Sequence, residues 1–256
     1  MERNNTKKQF VCLSGLPRTG STLLSAILSQ NPKIHAEGIS SVSTLMYDMF
    51  VSCTSHCLNL LQATNREKII YDLLSSIPST YYKDILEEET IIVDKSRIWT
   101  LETNVRILEN YVDSNIKIIV LERPLIDIVK SFTKIYQQNG KYYDAMFFFQ
   151  PNGPITITYN GIKWAKKNNE KNNFLFIQYQ ELVETPQKVI EKIYEFCGWE
   201  PFEHYFERIK VKYPENDEIY GMHGMHDVRE KIEFLENDIE LSQEILDKIA
   251  SLESEL

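Results

Sequence analysis

The stretch Gly15-Leu16-Pro17-Arg18-Thr19-Gly20-Ser21-Thr22 follows the apolar run Phe10-Val11-Cys12-Leu13 and precedes Leu23-Leu24-Ser25-Ala26-Ile27-Leu28, which has helical spacing. It reads as a strand, a phosphate-cradling turn and a helix start. The two glycines let the backbone turn tightly and approach an anion, while unpaired amides at the helix N-terminus point at it. The frame is Walker-like with one change: the Walker lysine position holds Ser21, and the nearest cation is Arg18, inside the loop. That change argues against an ordinary ATP or GTP hydrolase. The turn suits a phosphate whose terminal group differs from the usual γ-phosphate.

Apolar runs at Phe10–Leu13, Ile91–Val93, Ile116–Leu121 and Phe174–Ile177 alternate with amphipathic segments. Strands separated by helices imply right-handed crossovers and a parallel sheet. Helices are predicted over Ser40–Leu61, Arg66–Leu74, Leu101–Tyr111 and Pro124–Tyr136, covering the sheet faces. Between Gln137 and Tyr159, Gly140, Gly153, Pro151 and Pro154 mix with Tyr142, Tyr143, Phe147, Phe148 and Phe149. This suits a loop or lid whose rings either line a pocket or pack on the core. From Gln187 to Leu256 the chain reads as mainly helical, broken near Lys212–Glu218. The expected fold is a P-loop-like three-layer α/β/α architecture with a central, mainly parallel sheet and a helical C-terminal part. At 256 residues, one domain over 1–256 is the default.

A net charge of −9 gives no general footprint for nucleic acid, although a local basic pocket can sit inside an acidic surface. The start, Met1 to Lys8, leads into the first strand without an apolar signal region, and no uninterrupted apolar run reaches about 18 residues. A cytoplasmic protein without a membrane span is expected. Cys12, Cys53, Cys57 and Cys197 are too few and scattered for a disulfide framework. Cys53, His56 and Cys57 lack a second cluster of ligands, so no metal site is expected and small buried side chains are the simpler reading.

A second phosphate signal sits at the end of the run Ile116–Leu121, where Arg123 is followed by Pro124, a residue favoured at the first helical position. Ser131 lies close to two turns along the following helix. Both can face the carboxyl end of the sheet, where open α/β folds bind ligands.

With these residues in view, the chain resembles sulfotransferases that use 3′-phosphoadenosine 5′-phosphosulfate (PAPS). In that family a loop like Pro17-Arg18-Thr19-Gly20-Ser21-Thr22-Leu23 binds the 5′-phosphosulfate, and an arginine and serine at the spacing of Arg123 and Ser131 bind the 3′-phosphate. The stretch Phe176-Ile177-Gln178-Tyr179-Gln180-Glu181-Leu182, followed by Phe196-Cys197-Gly198, is similar to a later family segment, with Gln180 where the family has an acidic residue. Tyr179 is thereby expected beside the nucleotide. The resemblance reaches from about residue 10 to about residue 200. It implies a sulfuryl transfer to a hydroxyl, or less readily an amine, that needs no metal and leaves adenosine 3′,5′-bisphosphate (PAP).

Catalytic roles follow on the same basis. Arg18 is the first candidate for stabilising the departing phosphate. Lys95, just beyond a strand, takes the place of a catalytic lysine in related enzymes, including the protein-tyrosine branch; its structural alternative is an ion pair with Asp94 or Glu102. Arg97 is equally a substrate contact or a surface charge. A general base must reach the acceptor hydroxyl, and Glu37 is preferred over His35, two positions before it. The family's glutamate falls two residues later, where this chain has Ile39. Late in the chain, Arg229 is a candidate for closing over the nucleotide, and His223 and His226 are expected to be solvent-exposed. Two alternatives remain: a P-loop nucleotide or small-molecule kinase, and a non-catalytic nucleotide-binding module. The sequence assigns neither the acceptor nor an oligomeric state.

Overall fold

The computed structural model describes residues 9–85, 91–142, 144–233 and 237–254. The chain start, Met1 to Lys8, and Tyr143 lie outside them. Five strands form one parallel sheet: β1 (Phe10–Gly15), β2 (Ile34–Ile39), β3 (Ile91–Lys95), β4 (Lys117–Glu122) and β5 (Phe174–Gln178), in the spatial order β2-β3-β1-β4-β5. The four apolar runs are strands, as their composition predicts. β1 is central, with Phe10 beside Ile92 on one flank and Val11 beside Lys117 on the other.

β2 was readable only as a conditionally extended piece. Its sequence, Ile-His-Ala-Glu-Gly-Ile, has little β-branched character, and it pairs on one side only, with a register shift between Ala36 and Ile39. Pairing with β3 rather than intrinsic preference makes it a strand.

Both faces of the sheet are covered. Cys12, Ile118 and Val120 point to a core shared with α2 (Val42–Val51), α5 (Glu102–Tyr111), α6 (Leu125–Gln138) and α7 (Pro154–Lys167). Val11, Leu13, Ile119 and Leu121 point to the other core, under α1 (Ser21–Leu28) and α9 (Pro186–Cys197). The strands therefore read as apolar runs rather than alternating patterns because each face is buried.

Three helical expectations are revised. The segment predicted as one helix over Ser40–Leu61 is α2, a π-helical turn at Ser52–His56 and α3 (Leu58–Ala63). The helix predicted over Arg66–Leu74 is α4, Ile69–Tyr81, which continues through Pro78. The C-terminal part is helical at its two ends, α9, which follows the short α8 (Tyr179–Glu184), and α10 (Gln243–Ser254). Most of the described residues from Trp199 to Ser242 are irregular, with a 3₁₀ turn at Asp217–Tyr220. That region holds Gly221 and Gly224 at positive φ and anchors itself by isolated apolar side chains such as Ile209 and Met222. Such spaced anchors carry no period.

In the aromatic segment, Phe148 and Phe149 are buried in a 3₁₀ turn and Tyr159 is buried on α7, while Tyr142 and Phe147 are exposed. Those buried rings take the core alternative. Cys53 is buried and all four cysteines are free. No helix among the described residues is long and apolar enough to cross a membrane.

Candidate active site

A cavity of about 820 Å³ opens at the carboxyl ends of β1, β3 and β4. Its floor is the turn between β1 and α1. Gly15 leaves the strand at φ +148 against the Leu121 carbonyl, which an added Cβ would approach to 2.4 Å. Gly20 adopts φ +82 and seats the Tyr179 ring, 2.9 Å from where a Cβ would stand. The first amides of α1 have no helical partner and face the cavity end of the turn. Pro17, Ser21 and Thr22 line the cavity. Thr19 does not: fully buried, its hydroxyl donates to the Leu16 carbonyl at 2.7 Å and braces the turn.

Arg18, at φ +61, turns its guanidinium across the cavity, where Nε donates to Ser131 Oγ at 3.1 Å and Nη1 to the carbonyl of Met225. Arg123, at the end of β4, donates from Nη1 to the Arg18 carbonyl at 3.0 Å and lies over the Tyr179 ring, 4.3 Å from its centre. Its Nε is buried without a hydrogen-bond partner. The turn, Arg123, Ser131 and Tyr179 thus line one cavity. Arg18 and Ser131, assigned by resemblance to opposite ends of the nucleotide, are direct neighbours here. Burial lowers the Arg18 pKa, and the nearby charges of Arg123 and Arg97 add to the shift.

Successive residues of β3 point to opposite faces. Asp94 turns into the core, fully buried, and accepts hydrogen bonds from Trp99 Nε1 and Tyr82 OH, each at 2.7 Å, and from Ser40 Oγ at 2.5 Å. It does not line the cavity, which leaves the kinase alternative without its one candidate strand-end aspartate. Lys95 turns the other way, into the cavity. Its partner is neither Asp94 nor Glu102 but Glu215, with Nζ to Oε1 at 2.9 Å; Thr22 Oγ1 lies 3.5 Å away. Burial lowers the Lys95 pKa, opposed by Glu215 and reinforced by Arg97 and Arg18. Arg97 also lines the cavity, and burial lowers its pKa too.

The irregular late segment covers the site. Asn139, after α6, exchanges two hydrogen bonds with the main chain of His223, at 2.8 and 3.1 Å. His226 is mostly buried, contrary to the expected exposure: Nδ1 stands 2.5 Å from Asp217 Oδ1, its amide donates to Asp217 Oδ2 at 3.0 Å, and Nε2 lies 3.4 Å from Glu215 Oε2. Arg229 is exposed at the rim of the cavity. Glu215 and the Asp217–His226 clasp were missed by sequence reasoning. The one available signal was the run of histidines and glycines near His223, which marks an unusual loop without naming its partners.

The two candidate bases lie elsewhere. His35 is buried under Tyr213, with ring centres 4.4 Å apart, and lines neither cavity described here. Glu37 lines a smaller cavity of about 290 Å³ with Tyr81, Tyr213, Tyr220 and Glu215. Its carboxylate is 3.2 Å from the His35 ring. Among the described residues no group of three or more His, Cys, Asp or Glu side chains is arranged to hold a metal ion.

Comparison with known proteins identifies the fold and the family. Three solved structures share the fold: the sulfotransferase domain from the curacin biosynthetic pathway, the sulfotransferase domain from the Synechococcus PCC 7002 olefin synthase, and a sulfotransferase from Alicyclobacillus acidocaldarius. The first is 19% identical with a TM-score of 0.55, covering 96% of this chain and 97% of the other. The second is 17% identical with a TM-score of 0.54, covering 99% and 97%. The third is 14% identical with a TM-score of 0.51, covering 83% and 88%. No curated protein sequence gives a significant match. The family model described as "Sulfotransferase family" matches residues 11–204, from within β1 to beyond α9. With three quarters of its length so matched, the chain belongs to the sulfotransferase family.

Proposed function

We propose that the chain moves a sulfuryl group from PAPS to a hydroxyl acceptor by in-line displacement, with an amine the less favoured acceptor. One observation carries the reading: Arg18, Arg97 and Arg123 converge on a single cavity with a helix N-terminus, and none of the three forms a contact ion pair among the described residues, although Glu215 acts on Arg97 and Asp217 on Arg18 from farther away. Three buried guanidinium groups without a carboxylate in contact call for a polyanionic ligand. A nucleotide with phosphate at both ends of its ribose meets that demand.

In this reading the amides of Ser21 and Thr22, with Lys95 beside them, receive the phosphosulfate, and Arg123 and Ser131 receive the 3′-phosphate. Arg18 lies between and reaches the 5′-phosphate when it leaves Ser131. Tyr179, already under Arg123, holds that guanidinium flat, and Arg229 closes the rim. Sulfuryl transfer loads negative charge on the oxygen that departs with PAP. Fixed cations in a site shielded from water stabilise that charge in the transition state. In-line placement of acceptor and leaving group supplies much of the remainder. Side-chain cations meet the charge, so the reading invokes no metal.

Isothermal titration with PAP tests the donor site. The chain should bind PAP, and Arg18→Ala should weaken binding at least about tenfold, as expected for loss of a charge-assisted contact. Unaltered affinity in Arg18→Ala would count decisively against the assignment.

A further inference from the structure

The smaller cavity and the anion cavity share a wall, and that wall is the Lys95–Glu215 pair. Lys95 lines the larger cavity and Glu215 the smaller, with 2.9 Å between Nζ and Oε1. The Glu215 side chain is 9% exposed, and its second oxygen, Oε2, is buried without a hydrogen bond. His226 Nε2 lies 3.4 Å from it without hydrogen-bond geometry. Oε2 is closed off on the His226 side, while Oε1 lies nearer Gly38 of the smaller cavity and bridges to Lys95 of the larger one.

The rest of the cavity has a definite chemistry. Tyr81, Tyr213, Tyr220 and Ile39 give it aromatic and apolar walls. Glu37, 27% exposed, stands 3.2 Å from the His35 ring, and no lysine or arginine is paired to it among the described residues. A carboxylate beside tyrosine faces attracts cations and repels anions. Gly38 admits Glu215 to this position, since a Cβ there would stand 2.2 Å from Glu215 Cγ.

We propose that this cavity is the acceptor site, in which the Glu215 carboxylate takes the hydroxyl proton while Glu37 and the tyrosine rings select an aromatic or apolar alcohol, neutral or positively charged. The proposal rests on the sulfuryl-transfer reading above and assigns the base role to Glu215 instead of Glu37 or His35. As the acceptor oxygen attacks sulfur, its proton passes to Glu215 and the new O–S bond forms. The bond from sulfur to the bridging phosphate oxygen breaks, and its electron pair leaves with PAP beside Lys95. Glu215 then gives the proton to water.

Three phenols of similar size test the site with sulfur-labelled PAPS: 4-(2-aminoethyl)phenol, 4-ethylphenol and 3-(4-hydroxyphenyl)propanoate. The kcat/KM should fall in that order, the cation leading the neutral phenol about fivefold. Glu37→Gln should remove that lead by raising KM for the cationic phenol. Glu215→Gln should lower kcat about a hundredfold on 4-ethylphenol and much less on the more acidic 4-nitrophenol, because a better-ionised nucleophile needs less proton removal. Glu215→Asp, which keeps the charge facing Lys95, should show the same acidity-dependent loss in milder form and guards against a folding defect. PAP titration reports the donor site separately and should be unchanged in Glu37→Gln. A preference for the anionic phenol, an equal loss on all phenols, or failure of all of them to bind the PAP-loaded protein by saturation-transfer NMR overturns the acceptor site while leaving the donor reading intact. Failure of the unaltered chain to bind PAP overturns both.

Discussion

Arg123 donates from Nη1 to the main-chain oxygen of Arg18 at 3.0 Å, joining the end of β4 to the turn that follows β1. Two segments remote in sequence thereby aim their charges into one cavity. Arg18 holds φ +61, a left-handed conformation that costs a non-glycine residue roughly 1–2 kcal/mol. The bond from Arg123 offsets part of that cost, so the arginine proposed to bind the 3′-phosphate also shapes the first site.

Arg123→Ala should weaken PAP binding by about 2 kcal/mol, roughly thirtyfold. Arg123→Lys should recover little, because an ammonium does not lie flat on the Tyr179 ring and donate in the same plane. Titration calorimetry checks both; wild-type affinity in the lysine variant would remove the argument for a planar cation.

Gly20→Ala places a methyl group 2.9 Å from the Tyr179 ring at a residue with φ +82. The left-handed backbone and the clash together should lower stability by about 2–3 kcal/mol. In a Tyr179→Ala background the steric share disappears, and the penalty should fall to about 1 kcal/mol. Thermal melts of the four proteins form the cycle, and an unchanged penalty would mean that the ring yields without cost.

Asp94→Ala removes a fully buried acceptor shared by Trp99, Tyr82 and Ser40. Burial pushes the Asp94 pKa up, while those three donors pull it down against the larger effect. Deleting the carboxylate strands three polar groups in the core and should cost about 3 kcal/mol or more. Denaturant unfolding followed by tryptophan emission measures it. A loss under about 1 kcal/mol would show that the donors find other partners.

The cover segment should respond to acid through Asp217. Burial raises the pKa of this carboxyl, but hydrogen bonds and charge from His226, with the Met225 amide, outweigh it and the net shift is downward. A depressed folded pKa contributes stability that is complete above the unfolded value, near 3.9, and is lost as pH falls through the folded one. The clasp should therefore hold at neutral pH and loosen only below about pH 4. Hydrogen exchange at the His226 amide, which donates to Asp217 at 3.0 Å, reads this out. Asp217→Asn should speed that exchange at neutral pH; equal protection in the variant would assign the closure to Met222 and the Asn139 clasp.

How much was legible depended on whether a signal was local. β1, β3, β4 and β5 were readable because burial on both faces writes an apolar run into each. The turn was readable because Gly15 and Gly20 meet backbone demands at fixed positions. β2 was obscured because its pairing with β3 overrides a weak intrinsic preference. His226 was misread because a histidine among glycines carries no mark of the Asp217 it meets.

The sequence by itself determined an α/β fold with a parallel sheet and a glycine-framed turn at its carboxyl end, since strand burial, glycine conformations and helix starts are encoded within short windows. Tertiary structure alone decided that Lys95 faces Glu215 rather than Asp94, that Arg18 meets Ser131, and that Glu37 belongs to a second cavity. Those contacts join the sheet to an aperiodic late segment or to distant helices. Such partners are chosen by where the chain returns in space, a global property to which no local spacing corresponds.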